Sequence, residues 1–161
     1  MRHGLKLLTV WLLVTTAVFL GFKTWEHRQA ATRFELQGES VVLRRGADGH
    51  YHWPGRLQGR AVDFLVDTGA TQSAVSTTLA RSLGLPEQGT VTLQTAGGPV
   101  QGRVVLADLD LDGGLAVQRL RLIALDGLGE RGAVAILGMD VLGRLRWEQS
   151  EGRLRIDLRR R

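Results

Sequence analysis

Phe64-Leu65-Val66-Asp67-Thr68-Gly69-Ala70-Thr71 is the stretch on which the reading of this chain turns. An apolar β-run delivers one carboxylate, followed by a small hydroxyl, a glycine and an alanine. A lone carboxylate is costly to bury, so an acid at the end of such a run calls for a hydrogen-bonded or functional setting. Gly69 lets the backbone turn sharply just past the acid and lets another segment approach closely. The arrangement presents Asp67 at the floor of a cleft, placed for acid/base chemistry.

Upstream, Ala61 to Val66 is the strand that carries the acid, and Gly59 marks the turn before it. Val41-Val42-Leu43, the turn cluster Gly46-Ala47-Asp48-Gly49 and His50-Tyr51-His52-Trp53 read as a hairpin, with Pro54 ending its second strand or confining it to an edge. On a strand His50 and His52 share a face, a spacing that suits a metal, yet no third ligand lies nearby. Surface polarity is the favoured reading, and no metal is expected.

Downstream, Ser76 caps a short helix over Thr77 to Leu83, Gly84 takes the left-handed position after it, and Pro86 stops continuation. Val75, Leu79 and Leu83 give that helix one apolar stripe. Thr90 to Thr95 alternates and leads to the glycine-rich tip Ala96-Gly97-Gly98-Pro99. Such a hairpin serves equally as an ordinary turn or as a lid over a cleft. Asp108-Leu109-Asp110-Leu111-Asp112-Gly113 looks like the start of a calcium loop, but the twelfth position holds Arg119 where a bidentate Glu is needed. The alternating leucines on either side make it a hairpin turn between two half-buried strands. Ala133 to Gly138 is an apolar strand followed by one helical turn, and Arg144 to Leu158 forms a closing hairpin around Ser150-Glu151-Gly152.

The chain has 161 residues, 43% of them hydrophobic and 23% charged, which fits one compact domain with an appendage. It contains no cysteine, so disulfides, thiolate chemistry and cysteine-based zinc sites are excluded. The net charge of +5 is confined to the ends: residues 1–33 and 144–161 each carry +4, while 34–143 carry −3. No basic face with interleaved aromatics appears, and nucleic-acid binding is not expected.

Leu7 to Phe22 is uncharged and mostly apolar, slightly short of a bilayer core of roughly 30 Å. Lys6 and Lys23 can snorkel, and Trp11 and Trp25 suit the interfaces. No small-x-small site follows closely, so an uncleaved signal anchor is favoured over a cleaved signal peptide. The domains expected are a transmembrane anchor over 1–22, a juxtamembrane linker over 23–38 and a catalytic-type domain over 39–161.

These motifs together resemble the retropepsin-like (clan AA) aspartic proteases, specifically their membrane-anchored bacterial group. The resemblance rests on Phe64 to Thr71, the helix ending at Leu83-Gly84-Leu85, the Gly97-Gly98 hairpin, and Ala135-Ile136-Leu137-Gly138-Met139-Asp140-Val141-Leu142, in order over residues 40–158. It implies an all-β fold, a closed β-barrel protomer with one or two short helices, preceded by the transmembrane helix. It also implies an aspartic endopeptidase acting on protein or peptide substrates without metal or cofactor. With one Asp-Thr-Gly per chain, the resemblance implies a C₂ homodimer in which Asp67 of each subunit meets at the axis. Thr68 would join the two loops and Gly69 would bring its N–H to the carboxylate. Ala70, Thr71, Gln72, Gly97 and Gly98 would contact substrate, although viral members carry acids where Thr71 and Gln72 stand. Asp140 is read as a helix-start residue without a catalytic role. The expected setting is the bacterial inner membrane, crossed once, with the domain in the periplasm. The competing readings are a catalytically weak or inactive adaptor that dimerises through the same fold, and a purely structural tethered dimer.

Overall fold

In the Asp67 strand every second residue is apolar, and the computed structural model turns that alternation into one buried face. The structure describes residues 11–12, 14–19, 34–95, 97–129 and 135–158. The chain divides into two units, 1–33 and 34–161. In the first, residues 11–12 and 14–19 are helical, and the Thr15 and Thr16 hydroxyls donate back to the carbonyls of Trp11 and Leu12, at 2.6 and 2.7 Å. Among the described residues no helix is long and apolar enough to cross a membrane. Half of the expected Leu7 to Phe22 anchor lies outside the described residues.

The second unit is mostly β. Its strands are β1 (Phe34–Gln37), β2 (Ser40–Arg44), β3 (Tyr51–Leu57), β4 (Arg60–Val66), β5 (Ala74–Ser76), β6 (Glu87–Thr95), β7 (Gly98–Leu111), β8 (Leu115–Leu125), β9 (Ala135–Leu137), β10 (Arg146–Ser150) and β11 (Arg153–Asp157). Two short helices, α1 (Thr77–Ser82) and α2 (Met139–Leu142), interrupt them. One sheet runs β1-β2-β11-β10 and the other β3-β4-β9-β5-β8-β7-β6. In the second sheet β3 pairs with both β4 and β7, so the hydrogen-bonded ladder returns to its first strand. The β4–β9 and β5–β8 pairs are parallel and the others antiparallel.

The core lies on the face of Trp53, Leu57, Val62, Phe64 and Val66, continued by Val75, Leu122, Leu137 and Leu142. Trp53 and Phe64 are cross-strand partners and almost wholly buried. Burial of each such side chain contributes about 1.5–3 kcal/mol. The indole N–H of Trp53 donates to the Asp112 carbonyl at 2.8 Å, so its polar atom is satisfied inside. The core faces of β2 and β11 add Val41, Leu43, Leu154 and Ile156, all 2% exposed or less.

Three expectations need correction. Strands β2 and β3 do not form a hairpin: β2 takes β1 and β11 as partners, while β3 pairs with β4 and β7. The turn between them is tight, with the Gly46 N–H donating to the His50 carbonyl at 2.6 Å, but it carries the chain from one sheet to the other. The linker over 23–38 ends early, because Phe34–Gln37 is a strand of the folded unit. Pro54 neither ends β3 nor makes the whole strand an edge. Residue pairing to β7 begins at Gly55, and the Pro54 carbonyl still accepts the Asp112 N–H at 3.0 Å just beyond it, so the missing N–H falls at the end of that ladder. Gly55 is then required by contact, since a Cβ there would stand 2.6 Å from the Asp110 carbonyl oxygen.

Candidate active site

The acid-bearing loop is built from residues 67–73 and is held by a segment about seventy positions later. Asp67 leaves β4 with its N–H on the Leu137 carbonyl at 3.0 Å. Its Oδ1 accepts the Gly69 N–H at 2.8 Å, and a Cβ on Gly69 would stand 3.2 Å from that same oxygen. A glycine there leaves the amide free to approach the carboxylate. The Ala70 N–H closes the turn on the Asp67 carbonyl at 3.3 Å.

The far end of the loop is clamped more heavily. The Asp140 carboxylate accepts the Ser73 N–H at 3.0 Å on Oδ2 and the Ser73 hydroxyl at 2.7 Å on Oδ1. That hydroxyl in turn accepts the Gly138 N–H at 3.0 Å, and the Met139 N–H donates to the Ala70 carbonyl at 2.8 Å. Ser73 is fully buried, so each of its polar atoms needs a partner. A Cβ on Gly138 would lie 2.7 Å from the Gln72 carbonyl carbon and 2.9 Å from the Ala70 oxygen. Asp140 therefore lies in the first turn of α2 and also fixes the loop. The signal that could have revealed this was a serine between the motif and an apolar strand, with an acid directly after Gly138-Met139.

Asp67, Ala70 and Gln72 are half-buried, while Thr68, Gly69 and Thr71 are exposed. The six expected loop residues thus share one open surface of the single chain. Gly97 and Gly98 lie elsewhere, at the tip of the β6–β7 hairpin. There the Thr95 hydroxyl donates to the Gly98 carbonyl at 2.7 Å and accepts the Gly97 N–H at 3.2 Å. Among the described residues no hydrogen bond joins that tip to the 67–72 loop. A groove of about 790 Å³ lies against Leu115, Val117 and α2, and one of about 530 Å³ lies against β4 and α1. Neither is lined by Asp67.

Beside the acid runs a second apolar surface, opposite the main core. Register partners Leu65, Ile136, Ala74, Ile123 and Val104 form a row across β4, β9, β5, β8 and β7. Val91, Leu93, Leu125 and Leu128 pack over its buried middle, while Leu65 and Ile136, at the end nearest Asp67, are only half-buried.

His52 is held away from the loop chemistry. Its Nε2 lies 2.7 Å from Asp48 Oδ2 and its Nδ1 3.0 Å from Asp63 Oδ2. The Asp63 hydrogen bond, opposed by burial and joined by the bond to Asp48, raises the imidazole from its ordinary 6.5 to about 9. Asp48 is lowered: partial burial opposes the shift, and the hydrogen bonds from His52 and the His50 N–H outweigh it. Asp108 accepts the Arg119 N–H at 2.7 Å, next to an irregularity in the β7–β8 pairing. Its carboxylate thus serves the hairpin.

A family model described as "gag-polyprotein putative aspartyl protease" matches residues 53–144, and the chain belongs to this family of retropepsin-like aspartic proteases. The fold is similar to the crystal structure of a retropepsin-like aspartic protease from Rickettsia conorii, with a TM-score of 0.56 and 20% identity, covering 76% of this chain and 93% of that one. It is also similar to EIAV protease complexed with the inhibitor HBY-793, with a TM-score of 0.51 and 20% identity, covering 61% and 89%. An uncharacterized protein in the cobV 5′ region of Sinorhizobium sp. is 26% identical over 130 residues. The chain spans about half the length of that curated relative.

Proposed function

We propose that the chain is an aspartic endopeptidase that works as a C₂ homodimer, with Asp67 of each subunit facing the other. The observation that carries this reading is Asp67 itself, an acid that accepts the Gly69 N–H at 2.8 Å on a loop whose Thr68 and Gly69 are exposed. Two carboxylates brought together cannot both ionise easily, and they share one proton. The ionised Asp67 takes a proton from water as the water attacks the peptide carbonyl. The protonated one donates to the carbonyl oxygen, and the leaving amine is then protonated. The residues of this chain supply the whole sequence without a metal or cofactor.

Thr68, exposed beside the acid, joins the two loops in this reading. Ala70, Thr71 and Gln72 run along the substrate backbone, and Gly97 and Gly98 cover it. The apolar row ending at Leu65 and Ile136 favours apolar side chains next to the cleaved bond. The returning ladder β3-β4-β9-β5-β8-β7 is read as the closed barrel of the protomer. Leu7 to Phe22 anchors the dimer in a bacterial inner membrane, with the folded unit in the periplasm.

The test is cleavage of an unfolded casein by the full chain at mildly acidic pH. Asp67→Asn keeps an acceptor for Gly69 N–H and is expected to reduce cleavage to background without changing the thermal midpoint. A statine-type peptide is expected to inhibit and a chelator to have no effect. Equal cleavage by wild type and Asp67→Asn would sink the proposal. A wild-type chain that dimerises without cleaving leaves the adaptor reading in its place.

A further inference from the structure

Arg103 sits in the stem of the β6–β7 hairpin, paired to Thr90 on one side and Ala124 on the other. Its side chain is 27% exposed, and its guanidinium reaches three separate elements. Nε lies 3.2 Å from Glu87 Oε1 at the start of β6. Nη2 donates to Thr77 Oγ1 at 2.9 Å, at the first residue of α1. The same nitrogen lies 3.6 Å from Asp126 Oδ1, just past β8. Asp126 lies between Leu125 and Leu128, two of the side chains that cover the apolar row beside Asp67.

The surroundings make this a joint. A register shift between Glu87 and Gly89, with Gly89 at φ +137°, breaks the regular pairing of the stem. At Gly102 a Cβ would lie 2.4 Å from Ile123 Cγ2 and 2.9 Å from Leu125 Cδ2, so the stem lies directly on the end of β8. The two carboxylates facing Arg103 are 58% and 80% exposed. Ion pairs that open to solvent add little stability, so a change at Arg103 is expected to leave the fold intact. A planar guanidinium can address several acceptors at fixed angles, and an ammonium cannot.

We propose that Arg103 is a positioning residue that couples the β6–β7 hairpin to the 125–129 segment, so that cover and side wall of the peptide groove move together. Through that coupling it sets how tightly the apolar side chain of a peptide is held, while the proton transfers at Asp67 proceed independently of it. The inference rests on the proposed peptidase reading, in which the hairpin is the cover.

The experiment pairs kinetics with hydrogen exchange on the full chain, using wild type, Arg103→Ala and Arg103→Lys and a quenched apolar decapeptide as probe. Arg103→Ala is expected to raise KM about tenfold with kcat within about twofold. It is also expected to speed exchange in 90–95, 97–102 and 125–129 together, while β4 and β9 keep their protection. Arg103→Lys restores one contact, so it is expected to recover only part of KM. A fall in kcat at unchanged KM overturns the inference, as does faster exchange spread over β4 and β9. If the wild type is inactive, the peptidase reading fails on its own. Coupled exchange of hairpin and segment then still supports the role of Arg103, and exchange that changes in only one of them refutes it.

Discussion

Gly138→Ala tests whether the loop that carries Asp67 is held by contact with the chain behind it. Gly138 has φ −101° and ψ −173°, a backbone conformation open to any residue, so alanine brings no torsional strain. What it brings is one methyl group 2.7 Å from the Gln72 carbonyl carbon and 2.9 Å from the Ala70 and Gln72 oxygens. All three are backbone atoms, with no side chain free to swing aside. Overpacking of this kind costs about 1–3 kcal/mol. For a folded unit of this size that corresponds to a fall in thermal midpoint of about 4–12 °C. The displaced atoms belong to the loop that orients Asp67, and a misplacement near 1 Å costs on the order of 10²-fold in rate. The assays are thermal unfolding and casein cleavage, with activity measured at a temperature where both proteins are folded. The expected result is a folded variant with a lowered midpoint and at least tenfold lower cleavage. Wild-type midpoint and wild-type cleavage together would show that the loop is not braced at Gly138.

Two further outcomes follow from the clamps. Asp140→Ala removes both acceptors from the buried Ser73 and is expected to lower stability by about 2–4 kcal/mol, whereas Asp140→Asn keeps one acceptor and loses about half of that. Denaturant midpoints at unchanged slope measure the difference, and equal stability of the two variants would refute the clamp. The His52 imidazolium is stabilised in the folded chain, with its pKa raised from 6.5 to about 9. Its contribution is therefore complete below pH 6.5 and is lost as pH rises through about 9. Urea midpoints of the wild type are expected to fall across that window, and those of His52→Gln to stay nearly level. Parallel curves for the two would remove the clamp from the account.

Local pattern carried the parts of this fold that are decided locally. Ser76 caps α1 by accepting the Leu79 N–H at 3.1 Å, and Gly84 takes φ +60° after it. The alternation around Asp112-Gly113 places Leu109, Leu111, Leu120 and Leu122 inside. The strand into Asp67 and the apolar run into Gly138 are also where their composition puts them. What could not be read was pairing across long separations. Nothing in Val41-Val42-Leu43 distinguishes a partner ten residues away from Leu154 and Ile156, because the three segments share the same alternation. The Ser73–Asp140 bonds escaped for the same reason: each residue has a sufficient local explanation, one in a turn and one at a helix start. Pro54 was misjudged because its effect depends on whether the β7 ladder needs an N–H at that one position.

The bond from Ser73 to Asp140 also sets an order in time. Its two ends are 67 positions apart, and the clamp on Asp67 uses residues from the last quarter of the chain. During synthesis β4 and the Asp-Thr-Gly turn leave the ribosome long before Leu137 and Asp140 do. Contacts of such separation form late, because the intervening loop must close first. A chain that stops short of Leu137 thus presents the acid on a loop without these contacts. Bracing of the Asp67 loop therefore waits on Leu137 to Asp140.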